Sequence, residues 1–219
     1  MTQKFNLDCM TAMREFPDKF FQLAIVDPPY GNNMQGGRSA KNGWNQSIDW
    51  DKCNNGWNLI VPGIDYFTEL QRVSKNQIVW GGNYFANILP NSQCWVVWDK
   101  GQREFSLADG ELAWTSFDQA LRIKTIHRSV ANQEDKYHPT QKPVSLYKWL
   151  LQNYAKPGDK ILDTHGGSMS SVIACLEMGF DCWCYEKDPD YFLSAKKRIE
   201  QYIAQQKLFD THQKVEFFT

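Results

Sequence analysis

The apolar run Leu23-Ala24-Ile25-Val26, followed at once by Asp27-Pro28-Pro29-Tyr30-Gly31, constrains the fold more than any other stretch. Four successive apolar residues without polar alternation suit a strand buried on both faces, as in a parallel sheet. Proline has no N–H for a ladder and holds the residue before it in extended geometry. The strand must therefore stop there, with Asp27 at its carboxyl end and a rigid turn behind it. In open α/β sheets that edge is where ligands bind.

The turn carries its own chemistry. Asp27 offers an acceptor carboxylate, Pro28 a carbonyl without an N–H of its own, and Tyr30 an aromatic face. Two acceptors beside a stacking ring suit a planar group with an exocyclic NH2. A bare Asp-Pro would read as a tight turn and nothing more; the whole Asp-Pro-Pro-Tyr after an apolar strand reads as a site.

A second strand-to-turn unit lies near the other end. Pro157-Gly158-Asp159 is a turn and Lys160-Ile161-Leu162-Asp163 a strand. Thr164-His165-Gly166-Gly167-Ser168-Met169-Ser170-Ser171 then leads into a helix running to Met178. A strand, a glycine turn and a helix start make a nucleotide-type pocket with open backbone N–H groups. Cys182-Trp183-Cys184-Tyr185-Glu186 is the next strand. It ends in a carboxylate about 20 residues past the glycines, a spacing that suits ribose hydroxyls. Glycines or acid alone are weak signals; together they are more specific.

Between these units the chain reads as a strand at 4–9, a helix from Met10 to Phe16 and a helix from Ile64 to Val73 with Ile64, Phe67, Leu70 and Val73 on one face. Gln77 to Asn83 reads as a strand and Phe85 to Leu89 as a short helix closed by Pro90. Strands follow at 94–99, 111–117 and 119–123, then helices at 144–154 and 191–208. Asp8 falls where the first helix starts and is a cap by default. The pattern predicts a single α/β domain, a doubly wound, mostly parallel sheet with helices on both faces and an antiparallel edge. Residues 31–58, rich in Gly, Asn, Ser and Trp, read either as a mobile loop closing over DNA or substrate, with Arg38 and Lys41 available for phosphates, or as a disordered surface loop without a role.

Composition narrows the class. The chain has 219 residues, 42% of them hydrophobic, enough for one domain with a full core. A formal net charge of -1 argues mildly against nucleic acid, although Arg122, Lys124, His127, Arg128, Lys136 and Lys142 make one stretch locally basic. The six cysteines form no Cys-x-x-Cys pair and no His pair has zinc-like spacing, so buried thiols and no metal are expected. Without a signal pattern or a membrane-length apolar run, the chain is expected to be soluble and cytoplasmic, with no membrane partner.

Two motifs together resemble one family. Asp27-Pro28-Pro29-Tyr30 and His138-Pro139-Thr140-Gln141-Lys142-Pro143 are similar to segments of the amino-group DNA methyltransferases, and the order of parts, catalytic strand first and cofactor turn last, matches the subgroup called beta. The resemblance implies a Rossmann-like domain over residues 1–219. It would comprise a catalytic half (1–120), a DNA-facing connection (121–143) and a cofactor half (144–219). It implies S-adenosyl-L-methionine as cofactor and double-stranded DNA as substrate. Asp first in the tetrapeptide points to the adenine amino group; cytosine-specific members more often have Ser. The alternatives are the cytosine amino group, an amide nitrogen of RNA or protein, and a DNA-binding homologue without catalysis. An unrelated Rossmann-type oxidoreductase leaves Asp-Pro-Pro-Tyr unexplained.

By the same resemblance Asp27, Pro28, Pro29 and Tyr30 are catalytic. The cofactor falls to Asp8, Cys9, Asp27, His138, Thr140, Lys142, Asp163, Thr164, His165, Gly166, Gly167, Ser168, Glu186 and Lys187. Asp8 would face its adenine, and Thr140 and Lys142 its methionine carboxylate. DNA falls to Tyr30, Arg38, Lys41, Arg122, Lys124 and Arg128. With only residues near 99–137 available for target choice, a short target, help from the 31–58 loop or a second subunit in a homodimer is expected. The turn departs from the family's Asp-Pro-Phe-x-Gly-Ser-Gly: His165 replaces Phe and Met169 the last glycine. The Met169 side chain would either crowd the cofactor or pack beneath the helix, with Gly166 restoring backbone freedom.

Overall fold

Asp27 does end a parallel strand, and the sheet around it explains why the apolar run is so short. The computed structural model describes residues 2–31, 61–104, 108–131, 133, 135, 137, 138, 140–207 and 215–218. In chain order its elements are β1 (Thr2–Phe5), α1 (Cys9–Arg14), β2 (Phe21–Val26), α2 (Ile64–Val73), β3 (Ser74–Trp80), β4 (Trp95–Asp99), β5 (Gly110–Thr115) and β6 (Arg122–Thr125). They continue with α3 (Arg128–Ala131), α4 (Val144–Tyr154), β7 (Lys160–Asp163), α5 (Ser170–Met178), β8 (Asp181–Tyr185), α6 (Pro189–Lys207) and β9 (Val215–Phe218). Most of the loop read at 31–58, with Arg38 and Lys41, lies outside the described residues, as does Pro139.

The described strands form one sheet of nine in the order β6-β4-β5-β3-β2-β7-β8-β1-β9. Every pairing is parallel except those of β5 with β3 and β4. The antiparallel pairing therefore lies toward the expected end, but in the third strand from it. β6 beyond it runs with the majority. β9 was not read from the sequence at all.

Period-two alternation sends side chains to two cores. Leu23 and Ile25 of β2, Ile78 and Trp80 of β3 and Ile161 of β7 pack with Leu146, Leu150, Val172, Ile173, Phe192, Ala195 and Ile199 from α4, α5 and α6. Ala24, Val26, Val79 and Leu162 face the other way, against Ala12, Met13, Tyr66, Phe67, Leu70 and Val73 from α1 and α2. The register keeps faces matched, Ile25 beside Ile78 and Val26 beside Val79. Each such side chain contributes about 1.5–3 kcal/mol when fully buried, so a one-residue slip would expose a whole face.

Two local expectations change. Ile64 is 66% exposed, and Tyr66 takes the inward place on α2. Phe85 to Leu89 is not a helix: a 3-10 turn spans Gly82–Tyr84, and only one further turn closes on the Phe85 carbonyl.

Met169 answers the question raised by its replacement of glycine. It sits at the N-cap of α5 in the left-handed region, φ 55 and ψ 36, with its side chain 0% exposed in the core. It packs beneath the helix and leaves the turn clear. Gly166 serves a different need, since a Cβ there would stand 2.6 Å from Cys184 Sγ. Left-handed backbone costs an L-residue about 1–2 kcal/mol. Met169→Ala is therefore expected to lose about 2–4 kcal/mol in urea unfolding from lost burial. Met169→Gly should be no less stable than Met169→Ala, reversing the usual order, because glycine alone relieves the backbone.

Candidate active site

The adjacent parallel strands β2 and β7 send their chains to opposite faces. From β2 the chain reaches α2 on one side; from β7 it reaches α5 on the other. A crevice opens where such paths diverge. Here it is a cavity of about 750 Å³, well within the size of small-molecule sites.

Among the expected cofactor residues, Asp8, Cys9, Asp27, His138, Thr140, Lys142, Thr164, His165, Gly166, Gly167, Ser168, Glu186 and Lys187 line it. Pro29 lines it as well, while Pro28 is buried and Tyr30 stands outside the lining. Asp163 does not reach it. That carboxylate is 2% exposed beneath the turn, accepting from the Ser171 hydroxyl and, at 3.1 Å, from the His165 N–H. Burial pushes its pKa up to about 7, beyond what those donors restore.

Each wall is held by identifiable bonds. Asp8 caps α1, accepting from the Met10 N–H at 3.0 Å, and its other oxygen lies 3.2 Å from Lys187 Nζ. Burial works against its charge, but the ammonium and the helix amides hold it below the usual carboxylate range. Glu186 accepts from the Gly167 N–H at 2.7 Å and the Asp188 N–H at 2.8 Å. Burial still leaves its pKa raised. Arg198 reaches back from α6 to the Ser168 carbonyl and Ser170 Oγ, both at 2.9 Å, and so clamps the turn.

The two histidines are neutral walls. Burial lowers His138 to about 4, with Lys142 adding to the effect, and burial alone lowers His165 to about 4. His138 packs edge-on to Tyr191 at 4.4 Å. His165 packs against Tyr66 at 5.4 Å and takes a 2.9 Å bond to Thr164 Oγ1. Tyr66 itself bonds Thr164 Oγ1 at 2.6 Å. Tyr66, Tyr147, Gln141 and Tyr191 line the cavity and were not anticipated. Tyr66 gave a usable signal: a phenol on the apolar stripe of a helix needs a buried partner.

At the carboxyl end of β2 the arrangement is tighter than expected. The Tyr30 hydroxyl donates to Asp27 Oδ1, so it is not idle, and its ring stacks on Tyr84 at 4.9 Å and 14°. Gly81, at φ +66, makes room: a Cβ there would fall 2.1 Å from the Tyr30 ring. Lys142 donates to Asp27 Oδ2 and lies 3.2 Å from Glu111 Oε2. Burial depresses its ammonium, but Asp27 and Glu111 hold it above the ordinary lysine value. Lys142, expected at a cofactor carboxylate, is thus committed to two carboxylates of the protein.

The expected DNA residues are dispersed. Arg122 and Lys124 lie on the outermost strand β6 and Arg128 opens α3; none of the three lines the cavity. Among the described residues no helix is long and apolar enough to cross a membrane, and no cluster of three His, Cys, Asp or Glu is placed to hold a metal. Cys94, Cys175, Cys182 and Cys184 are buried thiols outside any disulfide.

Known proteins agree with this architecture. A family model described as DNA methylase, for N6 and N4 enzymes, matches residues 64–197. The chain is 24% identical to the type II methyltransferase M.HinfI of Haemophilus influenzae, over 89% of its own length and 67% of the relative's. Among solved structures it resembles the M1.HpyAVI–SAM complex, with a TM-score of 0.60 and 16% identity over 90% of this chain and 100% of that one. It also resembles the cytosine-N4-specific PvuII DNA methyltransferase, with a TM-score of 0.60 and 14% identity over 94% and 91%.

The buried Asp163 carboxyl sets a pH test. Its folded-state pKa of about 7 lies above the ordinary 3.8, so the folded protein holds this proton more tightly. Its contribution to stability is full below the unfolded value and is lost as pH rises through the folded one. His138 and His165 shift the opposite way and together outweigh the effect in the wild type, but they are common to both proteins in a comparison with Asp163→Asn. From about pH 5.5 to about pH 8, chemical denaturation should show Asp163→Asn gaining about 2 kcal/mol on the wild type.

Proposed function

The chain belongs to the N6/N4 DNA methylase family, and on that premise we propose that it transfers the methyl group of S-adenosyl-L-methionine to the exocyclic amino group of adenine in DNA. One observation carries the reading: Asp27, the turn 164–168 and Glu186 line a single cavity at the point where the sheet's connections diverge.

The residues present fit that cofactor. The cavity has the volume for it, Met169 stays out of the turn, and carboxylates stand at two separate places on the wall. Glu186 is suited to ribose hydroxyls, because each of its oxygens keeps a second lone pair after accepting from the backbone. Asp8, with Lys187, is suited to the purine end, and Thr140 and Gln141 to the amino-acid end. When bound, the cofactor supplies an electrophilic methyl on a sulfonium.

The protein supplies position and electrostatics. An adenine inside a duplex cannot present its amino group, so it must be extruded, at a cost of a few kcal/mol. Stacking on Tyr30 returns about 1–3 kcal/mol. The half-exposed Tyr84 ring occupies one face of Tyr30, and a base stacking on that face would have to displace it. Asp27 and the Pro28 carbonyl accept the two amino hydrogens, drawing the nitrogen lone pair out of ring conjugation. The neutral His138 and His165 keep added positive charge away from the sulfonium side. Fixed acceptors aimed at the developing charge then supply much of the acceleration.

Asp at the head of the tetrapeptide supports adenine. The cytosine-N4-specific structural neighbour keeps the cytosine amino group as the second reading. Unmethylated genomic DNA treated with the protein and S-adenosyl-L-methionine, digested to nucleosides and resolved by mass spectrometry, decides between them. N6-methyldeoxyadenosine is expected. N4-methyldeoxycytidine would transfer the reading to cytosine, and neither product would reject methyl transfer to DNA. Asp27→Ala should lose methyl transfer by about 1,000-fold or more, with calorimetric cofactor affinity kept within about threefold.

A further inference from the structure

We propose that Lys142 and Glu111 are positioning residues for Asp27, and that Lys142 serves this carboxylate rather than that of the methyl donor. The inference rests on the methyl-transfer reading above and departs from the role that the His-Pro-Thr-Gln-Lys-Pro resemblance implies for Lys142.

The geometry points there. The Lys142 side chain is 2% exposed, donates to Asp27 Oδ2 and stands 3.2 Å from Glu111 Oε2. The Trp80 ring lies 5.2 Å from the same nitrogen, a cation–π contact. An ammonium has three donors. Two are engaged by protein carboxylates beside an aromatic ring, so at most one is left for a ligand carboxylate, and the protein holds the larger share of the cation. Glu111 Oε1 in turn lies 2.7 Å from Lys100 Nζ. Charges therefore alternate from the site outward: Asp27, Lys142, Glu111, Lys100.

The sheet direction makes this chain possible. β2, β3 and β7 end at the cavity edge, but β5 is antiparallel and begins there. Glu111, the second residue of β5, is thereby brought beside Lys142.

Each link has a job. Lys142 fixes the rotation of the Asp27 carboxylate and so the direction of its remaining lone pairs. Alone, the ammonium would bind Asp27 fully and compete with the substrate amino group for it. Glu111 shares the cation and leaves Asp27 an effective acceptor as positive charge grows on the amino nitrogen. Burial opposes the Glu111 charge, yet Lys142 and Lys100 keep its pKa below the ordinary value, so it stays anionic in this role.

Two readouts on the full chain test the proposal: calorimetric affinity for S-adenosyl-L-methionine, and the single-turnover methyl-transfer rate on DNA. Lys142→Met should slow transfer by about 100-fold while the cofactor Kd stays within about threefold. Glu111→Gln should slow it by about tenfold at unchanged Kd, and the two effects should fall well short of multiplying in the double variant, because they act through one carboxylate. A rise of about tenfold or more in Kd for Lys142→Met would assign Lys142 to the donor's carboxylate and overturn the proposal. Wild-type rates in Glu111→Gln would remove Glu111 from the chain, and that milder variant decides the matter if Lys142→Met does not fold. A wild-type protein that binds the cofactor but methylates no DNA overturns the functional reading instead, while the affinity arm still decides which carboxylate Lys142 serves. A wild-type protein that does not bind the cofactor overturns both.

Discussion

Everything at the site depends on two parallel strands lying side by side while their chains leave in opposite directions. β2 pairs β7 with Leu23 beside Ile161 and Ala24 beside Leu162. Continued by three residues, that register brings Asp27 level with His165. The residue that ends one apolar run and the turn that follows the other are neighbours, although 138 positions separate them in sequence. The two cores enforce this register, because a slip of one residue would turn Ile161 from the face of α4 and α5 toward that of α1 and α2. Core packing and site geometry are thus one constraint seen at two places.

The cavity built on that register is polar but sparing in positive charge. Its histidines are held neutral by burial, and one of its two lysines, Lys142, is neutralised within the protein. The other, Lys187, stands at the rim beside Asp8. A site walled by carboxylates and neutral imidazoles favours a ligand carrying positive charge over one carrying phosphates. This distinguishes it from a dinucleotide site, where the helix N-terminus after the glycine turn meets a pyrophosphate. Here the turn amide of Gly167 is already taken by Glu186. The same glycine-turn topology therefore serves a different electrostatic purpose, and it is the partner of the turn's N–H, not the glycines, that separates the two.

Much of this was legible in the sequence because it is local. The bounds of α2 at Ile64–Val73 and of α4 at Val144–Tyr154 follow from apolar spacing and from Pro143 at the start of the latter. Asp27 at a strand end follows from the two prolines. What escaped is non-local. β9 is a four-residue strand that exists by pairing with β1, a partner some 210 residues away. Phe85 to Leu89 has helical composition, but Gly81 and Gly82 open the chain into a tight turn, and Phe85 is drawn into the core. The apolar spacing Ile64, Phe67, Leu70, Val73 passes over Tyr66, because it counts apolar area and not a phenol whose hydroxyl finds Thr164 across the site.

Lys142 and Glu111 show why a site's residues are harder to read than its fold. A motif names a lysine, but the ligand of that lysine is set by whichever carboxylate the fold delivers to it. Glu111 lies in an unremarkable strand, Glu111-Leu112-Ala113-Trp114, and only the reversed direction of β5 places it at the cavity edge. Had β5 run parallel to β3, its first residues would lie at the far edge of the sheet and Lys142 would have only Asp27. A buried cation with one anion binds it fully; a cation shared by two holds one in place without disabling it. Among the described strands β5 alone runs against the rest, and on the proposal above that reversal belongs to the chemistry, because it would decide how much of Asp27 is left for a substrate.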